Sequence, residues 1–266
     1  MDFSGVKLVV SDMDGTLLNN KNEVSKRFLN QFIELKKRNI HFVAASGRQY
    51  HSILYKLNSI KSEISIIAEN GGVLQHNNQT QVLLKLSNQD ILKSVKLLRE
   101  IEGSYIVLCG MKSAYIETND SKFISKLKIY YTSYEIVEDL TMVQNDQFLK
   151  ISVYHFNSSE TNLLPRVNDL KDKLKVTVPG KNWLDITHNK SNKGYALRLI
   201  QKELNISKNE TMVFGDYNND LEMLELCYFS FAMENAHPDV KKIARFETKS
   251  NDDEGVENIL EKLLKE

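Results

Sequence analysis

A chain of 266 residues with 41% apolar and 26% charged residues can bury a sizeable core, and this balance excludes disorder over any long region. Thirty-five Lys and Arg against thirty-five Asp and Glu leave a formal net charge of zero, so no global field draws the chain to nucleic acid or to an anionic membrane. No apolar run approaches the ~20 residues of a membrane-spanning helix, and the start "MDFSGVKLVVSDMDG" has no basic segment followed by a long apolar one.

These features lead us to expect a cytoplasmic protein, monomeric or weakly dimeric, that handles a small molecule without nucleic-acid or membrane partners. Cys109 and Cys227 stand far apart with no metal-ligand spacing, which predicts reduced thiols.

In chain order, "VKLVVSD" reads as a buried strand, "SKRFLNQFIELKKRN" as an amphipathic helix and "IHFVAASG" as a second strand. A helix over residues 49 to 59 and the strand "EISIIAEN" follow. Near-continuous apolar strands alternating with helices predict a parallel sheet covered on both faces. Asn70-Gly71-Gly72 marks a turn, and "GVLQHNNQTQVLLKL" reads as an antiparallel hairpin leaving the core.

The texture then changes. Helices at "NQDILKSVKLLREIE", at residues 120 to 131 and at "ETNLLPRVNDLKDKL" mix with strands at "SYIVLCG", "SAYIET", "QFLKISVYH", "KVTV" and "NWLDIT". From Asn192 the first texture resumes with "KGYALRLIQKEL", "TMVFGD", "NDLEMLEL", "YFSFAM", "PDVKKIA" and "DDEGVENILEKLLK". The predicted organisation is an α/β core at 1–82 and 186–266 carrying an inserted α/β module at 83–185.

Chemistry-bearing residues sit where the core strands end, and ligands of open parallel sheets bind outside the carboxyl ends of their strands. Asp12 and Asp14 follow the first strand, Ser46-Gly47-Arg48 the second, Asp216, Asn219 and Asp220 the strand "TMVFG", and Lys193 opens a helix. Crowded carboxylates call for a hard cation with oxygen ligands; Mg²⁺ held by Asp12 and Asp216 fits, and it leaves room for a phosphate.

Lys193 as a point charge, the Ser46 hydroxyl and the Gly47 backbone then suit phosphate oxygens. Asp12 is placed to attack phosphorus, and Asp14 to protonate the leaving alkoxide and later deprotonate water. Taken singly, each motif also fits a plain feature: an Asx turn at "DMDGT", a strand-to-helix turn at "SGR", a solvated lysine at "NKG" and an N-cap loop at "GDYNND". Their joint occurrence in order, each at a strand end, favours the site.

"DMDGT", "ASGR", "NKG" and "GDYNND" in this order resemble the four motifs of the haloacid dehalogenase-like phosphohydrolases. The insertion resembles the large C2B-type cap of the Cof-type branch, subfamily IIB, and the likeness spans nearly the whole chain. It is similar above all to bacterial sugar-phosphate phosphatases of that branch in "ELKKRNIHFVAASGRQY", "EISIIAENGG", "CGMKSAYI" and "YFSFAMENAHPDVKKIAR".

The resemblance implies a Rossmann-like core, Asp12 as nucleophile, Asp14 as general acid and base, and Mg²⁺ held by Asp12, the Asp14 carbonyl and Asp216, with Asp220 in support. It further implies phosphate contacts from the Met13 backbone, Ser46, Gly47, Lys193 and Asn219. An acid at Asp14 favours ester hydrolysis over dehalogenation.

The expected activity is therefore a Mg²⁺-dependent phosphatase of small metabolites, sugar phosphates first. The alternatives are a sugar phosphomutase, a phosphatase of nucleotide or flavin phosphates, and, last, a non-enzymatic binding module. Candidates for reading the leaving group are Gly110, Ser113 and Tyr115 in "CGMKSAYI", equally readable as a plain hairpin turn, and Asn70. Arg48 is read either as a phosphate contact or as a surface pair, Trp183 chiefly as packing, and His188 chiefly as a surface residue.

Overall fold

In the computed structural model, which describes residues 1–265, the first elements are β1 (Leu8–Asp12), α1 (Lys26–Lys37), β2 (His41–Ala45), α2 (Tyr50–Lys56), β3 (Ser65–Ala68), β4 (Val73–His76) and β5 (Gln79–Val82). The middle of the chain holds α3 (Asn88–Arg99), β6 (Tyr105–Gly110), β7 (Ala114–Ile116), α4 (Ser121–Tyr130), β8 (Tyr134–Ile136), β9 (Phe148–Tyr154), α5 (Ser159–Asn162), β10 (Leu174–Gly180) and β11 (Trp183–His188). The last stretch holds α6 (Lys193–Leu204), β12 (Thr211–Gly215), α7 (Leu221–Glu225), β13 (Phe229–Ala232), α8 (Pro238–Ile243), β14 (Phe246–Glu247) and α9 (Gly255–Leu263).

Two compact units result. The first comprises Met1–Ser46, Ile53–Gln81 and Asn192–Glu266, and the second Gly47–Ser52 and Val82–Ser191. Within the second unit β11 pairs with β10 as far as His188 and with β9 as far as Thr187.

The first unit is built on an eight-stranded sheet of order β14-β13-β12-β1-β2-β3-β4-β5, parallel from β14 to β3. Leu8, Val9 and Val10 are fully buried, as strands covered on both faces require. On one face α1 begins at Ser25, whose hydroxyl accepts from Phe28 N at 2.9 Å, and the buried Phe28, Phe32 and Leu35 lie on that helix. The Phe28 ring sits 5.0 Å from that of Phe42 on β2.

The hairpin expected to leave the core instead extends it: β4 pairs antiparallel with β3, and β5 forms the sheet edge. Asn77 and Asn78 adopt φ of 50° and 58°, the left-handed pair that a type I′ turn demands.

The second unit has a six-stranded sheet of order β10-β11-β9-β6-β7-β8, antiparallel except for the β7/β8 pair. Ile106, Leu108, Ile151, Val153, Leu184 and Ile186 pack in one apolar cluster with Ile91, Val95 and Leu98 of α3. Val107 and Cys109 pack with Phe123 and Leu127 of α4 in another.

The helix expected over 160–174 is broken into α5 and two 3₁₀ turns, Leu164–Arg166 and Asn168–Leu170, because Pro165 lacks the amide a continuous helix needs. Among the described residues, no helix is long and apolar enough to cross a membrane. Cys109 and Cys227 are both buried thiols.

Candidate active site

Parallel pairing places the carboxyl ends of β12, β1 and β2 side by side, with Ser11 opposite Phe214 and Asp12 opposite Ala45. The chain leaves β1 through a tight loop in which Met13 O accepts from Leu18 N at 2.8 Å. Gly15 adopts φ +75°, and a Cβ there would run into the Asp216 carboxylate, so only glycine fits. Thr16 Oγ1 donates to Asp216 Oδ1 at 3.1 Å, tying this loop to the one after β12.

Lys193 is the first residue of α6, whose cap is Asn192, with Oδ1 accepting from Tyr195 N at 2.7 Å. Its side chain is 0% exposed, and a cation at a helix N-terminus opposes the helix dipole. Two carboxylates compensate: Lys193 Nζ donates to Asp12 Oδ1 and, at 2.6 Å, to Asp220 Oδ1. Asp220 Oδ2 accepts from the backbone N–H groups of Asp216 and Tyr217 at 3.0 and 3.1 Å, closing the loop after β12. A Cβ on Gly215 would come within 2.8 Å of the Asp220 carboxylate, so the loop is drawn tight against its own acid.

A third loop reaches the same place. Asn70 N donates to Ser46 O at 3.1 Å, and Asn219 Nδ2 donates to Asn70 Oδ1 at 3.0 Å. Glu69, Asn70 and Gly71 carry φ of 51°, 51° and 88°, three consecutive left-handed residues, two of them not glycine. Such strain costs on the order of 1–3 kcal/mol per residue and persists where the surroundings over-determine it. At Gly71 a Cβ would strike the Asn192 carbonyl, which presses this turn onto the start of α6.

Electrostatics follow from burial. Loss of solvent holds the Asp12 carboxyl well above the usual range, against the pull of Lys193 and with repulsion from Asp220, Asp216 and Asp14 adding to it. Asp216 is pushed up to about 7, first by burial and then by Asp220. Burial alone would lower the Lys193 ammonium, but Asp12 and Asp220 outweigh it and keep it charged. Carboxylate oxygens of Asp12, Asp216 and Asp220 all lie within 4.8 Å of one another. An all-oxygen donor set around one small space suits a hard divalent cation.

The first unit thus gathers Asp12, Ser46, Asn70, Lys193, Asp216, Asn219 and Asp220, with Asp14 and the Met13 backbone on the β1 loop. Tyr217 packs its ring edge-on to His237 at 5.6 Å. Thr16 was missed as a site residue although it ends the quoted "DMDGT".

Gly47 and Arg48 belong to the second unit. Arg48 is 5% exposed, with Nη1 at 3.5 Å from Ser52 Oγ and its guanidinium 5.6 Å from the Tyr130 ring centre, so it is not a surface pair.

The other candidates of the second unit have structural partners. A Cβ on Gly110 would meet the Asp146 carboxylate, Ser113 N donates to Asp146 Oδ2 at 3.4 Å, and Tyr115 OH donates to the same oxygen at 3.0 Å. Asp146 thus fixes all three residues of the β6–β7 connection. Trp183 sits among Tyr130, Tyr131 and Tyr154, the last at 4.9 Å between ring centres, in the packing role expected of it. His188 Nδ1 accepts from Lys190 N at 3.2 Å within a turn.

The family model described as haloacid dehalogenase-like hydrolase matches residues 9–260. The chain is 33% identical over 267 residues to a 5-amino-6-(5-phospho-D-ribitylamino)uracil phosphatase of Escherichia coli, covering 98% of this chain and 97% of that one. A solved structure from Streptococcus mutans, 28% identical, superposes with a TM-score of 0.91 over 98% of this chain and 100% of the other. A subclass IIB sugar phosphatase at 17% identity shares the fold, with a TM-score of 0.81 over 97% and 98% of the two chains. With four loops converging on one acidic, lysine-braced strand edge and a family match along almost its entire length, the chain belongs to the haloacid dehalogenase-like hydrolases.

Proposed function

We propose that the protein is a Mg²⁺-dependent phosphatase acting on a small phosphorylated sugar or polyol through an aspartyl phosphate. The observation that carries this reading is the buried cluster of Asp12, Asp216 and Asp220 braced by Lys193 at the carboxyl ends of β1 and β12. The ribitylaminouracil phosphatase among its relatives supports a polyol phosphate as substrate, with the polyol as leaving group.

Asp12 attacks phosphorus with a carboxylate oxygen, the ester P–O bond breaks, and Asp14 gives its proton to the departing alkoxide. Water then attacks the aspartyl phosphate, Asp14 takes the proton, and inorganic phosphate leaves with Asp12 restored. Lys193 and the Ser46 hydroxyl hold phosphate oxygens, with backbone N–H groups of Met13 and Gly47 and the Asn219 amide alongside. Asp12, Asp216 and the Asp14 carbonyl would hold Mg²⁺, with Asp220 behind them, and the ion supplies charge stabilisation to the phosphoryl transfer.

Phosphate release from a panel of sugar, polyol, nucleotide and flavin phosphates, with and without Mg²⁺, tests the proposal. Release that requires Mg²⁺ and is abolished in Asp12→Asn is expected; a folded wild-type protein that cleaves no ester sinks it. Transfer of the phosphoryl group between sugar hydroxyls without release would turn the assignment to a phosphomutase.

A further inference from the structure

Residues 47–52 follow Ser46 directly and belong to the second unit, within which their side chains and carbonyls are engaged. Gln49 Nε2 donates to Ser133 O at 3.4 Å, His51 Nε2 lies 3.1 Å from Met111 O, and Arg48 stacks over Tyr130. The strongest of these contacts comes from Lys150 on β9, whose Nζ donates to Gly47 O at 2.8 Å. Lys150 is 4% exposed, and so is its partner Asp185 on β11, 3.4 Å away.

Asp185 is itself fixed. Its Oδ1 accepts from Ser152 Oγ at 2.5 Å, and Ser152 Oγ accepts from Tyr131 OH at 3.0 Å. A buried lysine is costly unless its charge is paired and its protons are used, and a hydrophobic pair in its place is often neutral or better for stability. Stability alone therefore does not account for a lysine here, whereas a fixed, charge-assisted donor to the Gly47 carbonyl does.

We propose that Lys150 is a positioning residue for the phosphate site. By gripping the Gly47 carbonyl it fixes the backbone of the Ser46-Gly47-Arg48 turn, so that the Gly47 N–H and the Ser46 hydroxyl are oriented before phosphate arrives. Asp185, Ser152 and Tyr131 hold the ammonium in place. This rests on the phosphatase reading above, in which that turn binds phosphate, and extends it to a residue more than one hundred positions away in sequence.

The test is inorganic phosphate binding by calorimetry, alongside kcat and KM for the best ester, in wild type, Lys150→Met, Lys150→Arg and the double variant Lys150→Met/Asp185→Asn. The double variant removes the orphaned acid, so a loss that survives in it is not a folding defect. The expected result is phosphate affinity at least tenfold weaker in Lys150→Met and still weak in the stable double variant. KM should rise more than kcat falls, and Lys150→Arg should recover part of the affinity.

Phosphate binding within twofold of wild type in Lys150→Met, or full recovery in the double variant, overturns the role of Lys150 and leaves the phosphatase reading intact. A wild-type protein that neither binds phosphate nor hydrolyses an ester overturns both.

Discussion

Replacing Lys193 by methionine keeps the length of the side chain and removes the ammonium that donates to Asp12 and Asp220. Lys193 and Asp220 are both 0% exposed and Asp12 4%, so water cannot take over the lost compensation. Breaking a buried pair by deleting one partner typically costs about 3–5 kcal/mol. In a chain of this size that corresponds to a fall in Tm of roughly 6–20 °C.

The assay is urea unfolding and a thermal scan in chelator, comparing wild type, Lys193→Met, Asp12→Asn and the double variant. Because burial already disfavours the Asp12 charge, Asp12→Asn alone should leave stability near or above wild type while abolishing turnover, and it should restore part of the loss when added to Lys193→Met. A Lys193→Met protein within about 1 kcal/mol of wild type would refute the reasoning, since it would mean that the acids share protons rather than relying on the lysine.

Gly15→Ala is expected to fold but to lose turnover by roughly a hundredfold, the order that follows a 1 Å misplacement, because its Cβ would displace the Asp216 carboxylate; steady-state kinetics check it. Asn70→Gly removes left-handed strain and a 3.0 Å bond from Asn219 together, so the unfolding free energy from urea titration should shift by less than about 1 kcal/mol while KM rises.

Since Asp216 is pushed up to about 7, Mg²⁺ must displace a proton below that pH; affinity measured by calorimetry should fall from pH 8 to pH 6, and a flat profile would contradict the ligand assignment. His41, half-buried against Ser65 and His76, is lowered to about 4, chiefly by burial. The unfolded chain therefore binds a proton that the native one refuses between about pH 6.5 and 4, and stability falls as pH drops through that window by at most about 3 kcal/mol. His41→Gln should lose that part of the acid sensitivity in urea midpoints taken at pH 7.5 and 4.5.

Much of the core site was legible because Asp12, Ser46 and Asp216 sit just after core strands, where a local signature of two or three residues carries both the turn and the chemistry. Strand order alone places these three together, and Lys193 joins them from the start of α6. Other features depend on non-local register. Asp146 organises Gly110, Ser113 and Tyr115 from more than thirty residues away, so "CGMKSAYI" could not be told from a substrate loop. Lys150 and Asp185 are charges inside the apolar strands "FLKISVY" and "WLDITH", and only the antiparallel register of β9 and β11, with Asp185 opposite Ser152 and Lys150 opposite Thr187, makes them diagonal neighbours. The 160–174 helix failed for a local reason that was visible, Pro165, whose cost outweighed the apolar spacing around it.

Local rules are broken most densely at the strand edge: a lysine starts a helix, two non-glycine residues in succession take left-handed backbone, and three carboxylates crowd one buried space. Consistency across levels is the mark of a sequence built for stability, and violations concentrate where function requires them. The charge at this edge makes the requirement concrete. Asp12, Asp216 and Asp220 set three formal negative charges against the one positive charge of Lys193, leaving two to be cancelled. One divalent cation, as in the proposed function, would cancel them and let a phosphate dianion approach Asp12 without repulsion. Burial and the neighbouring Asp220 raise Asp216, so protonation and a divalent cation are alternative ways of relieving the same crowding.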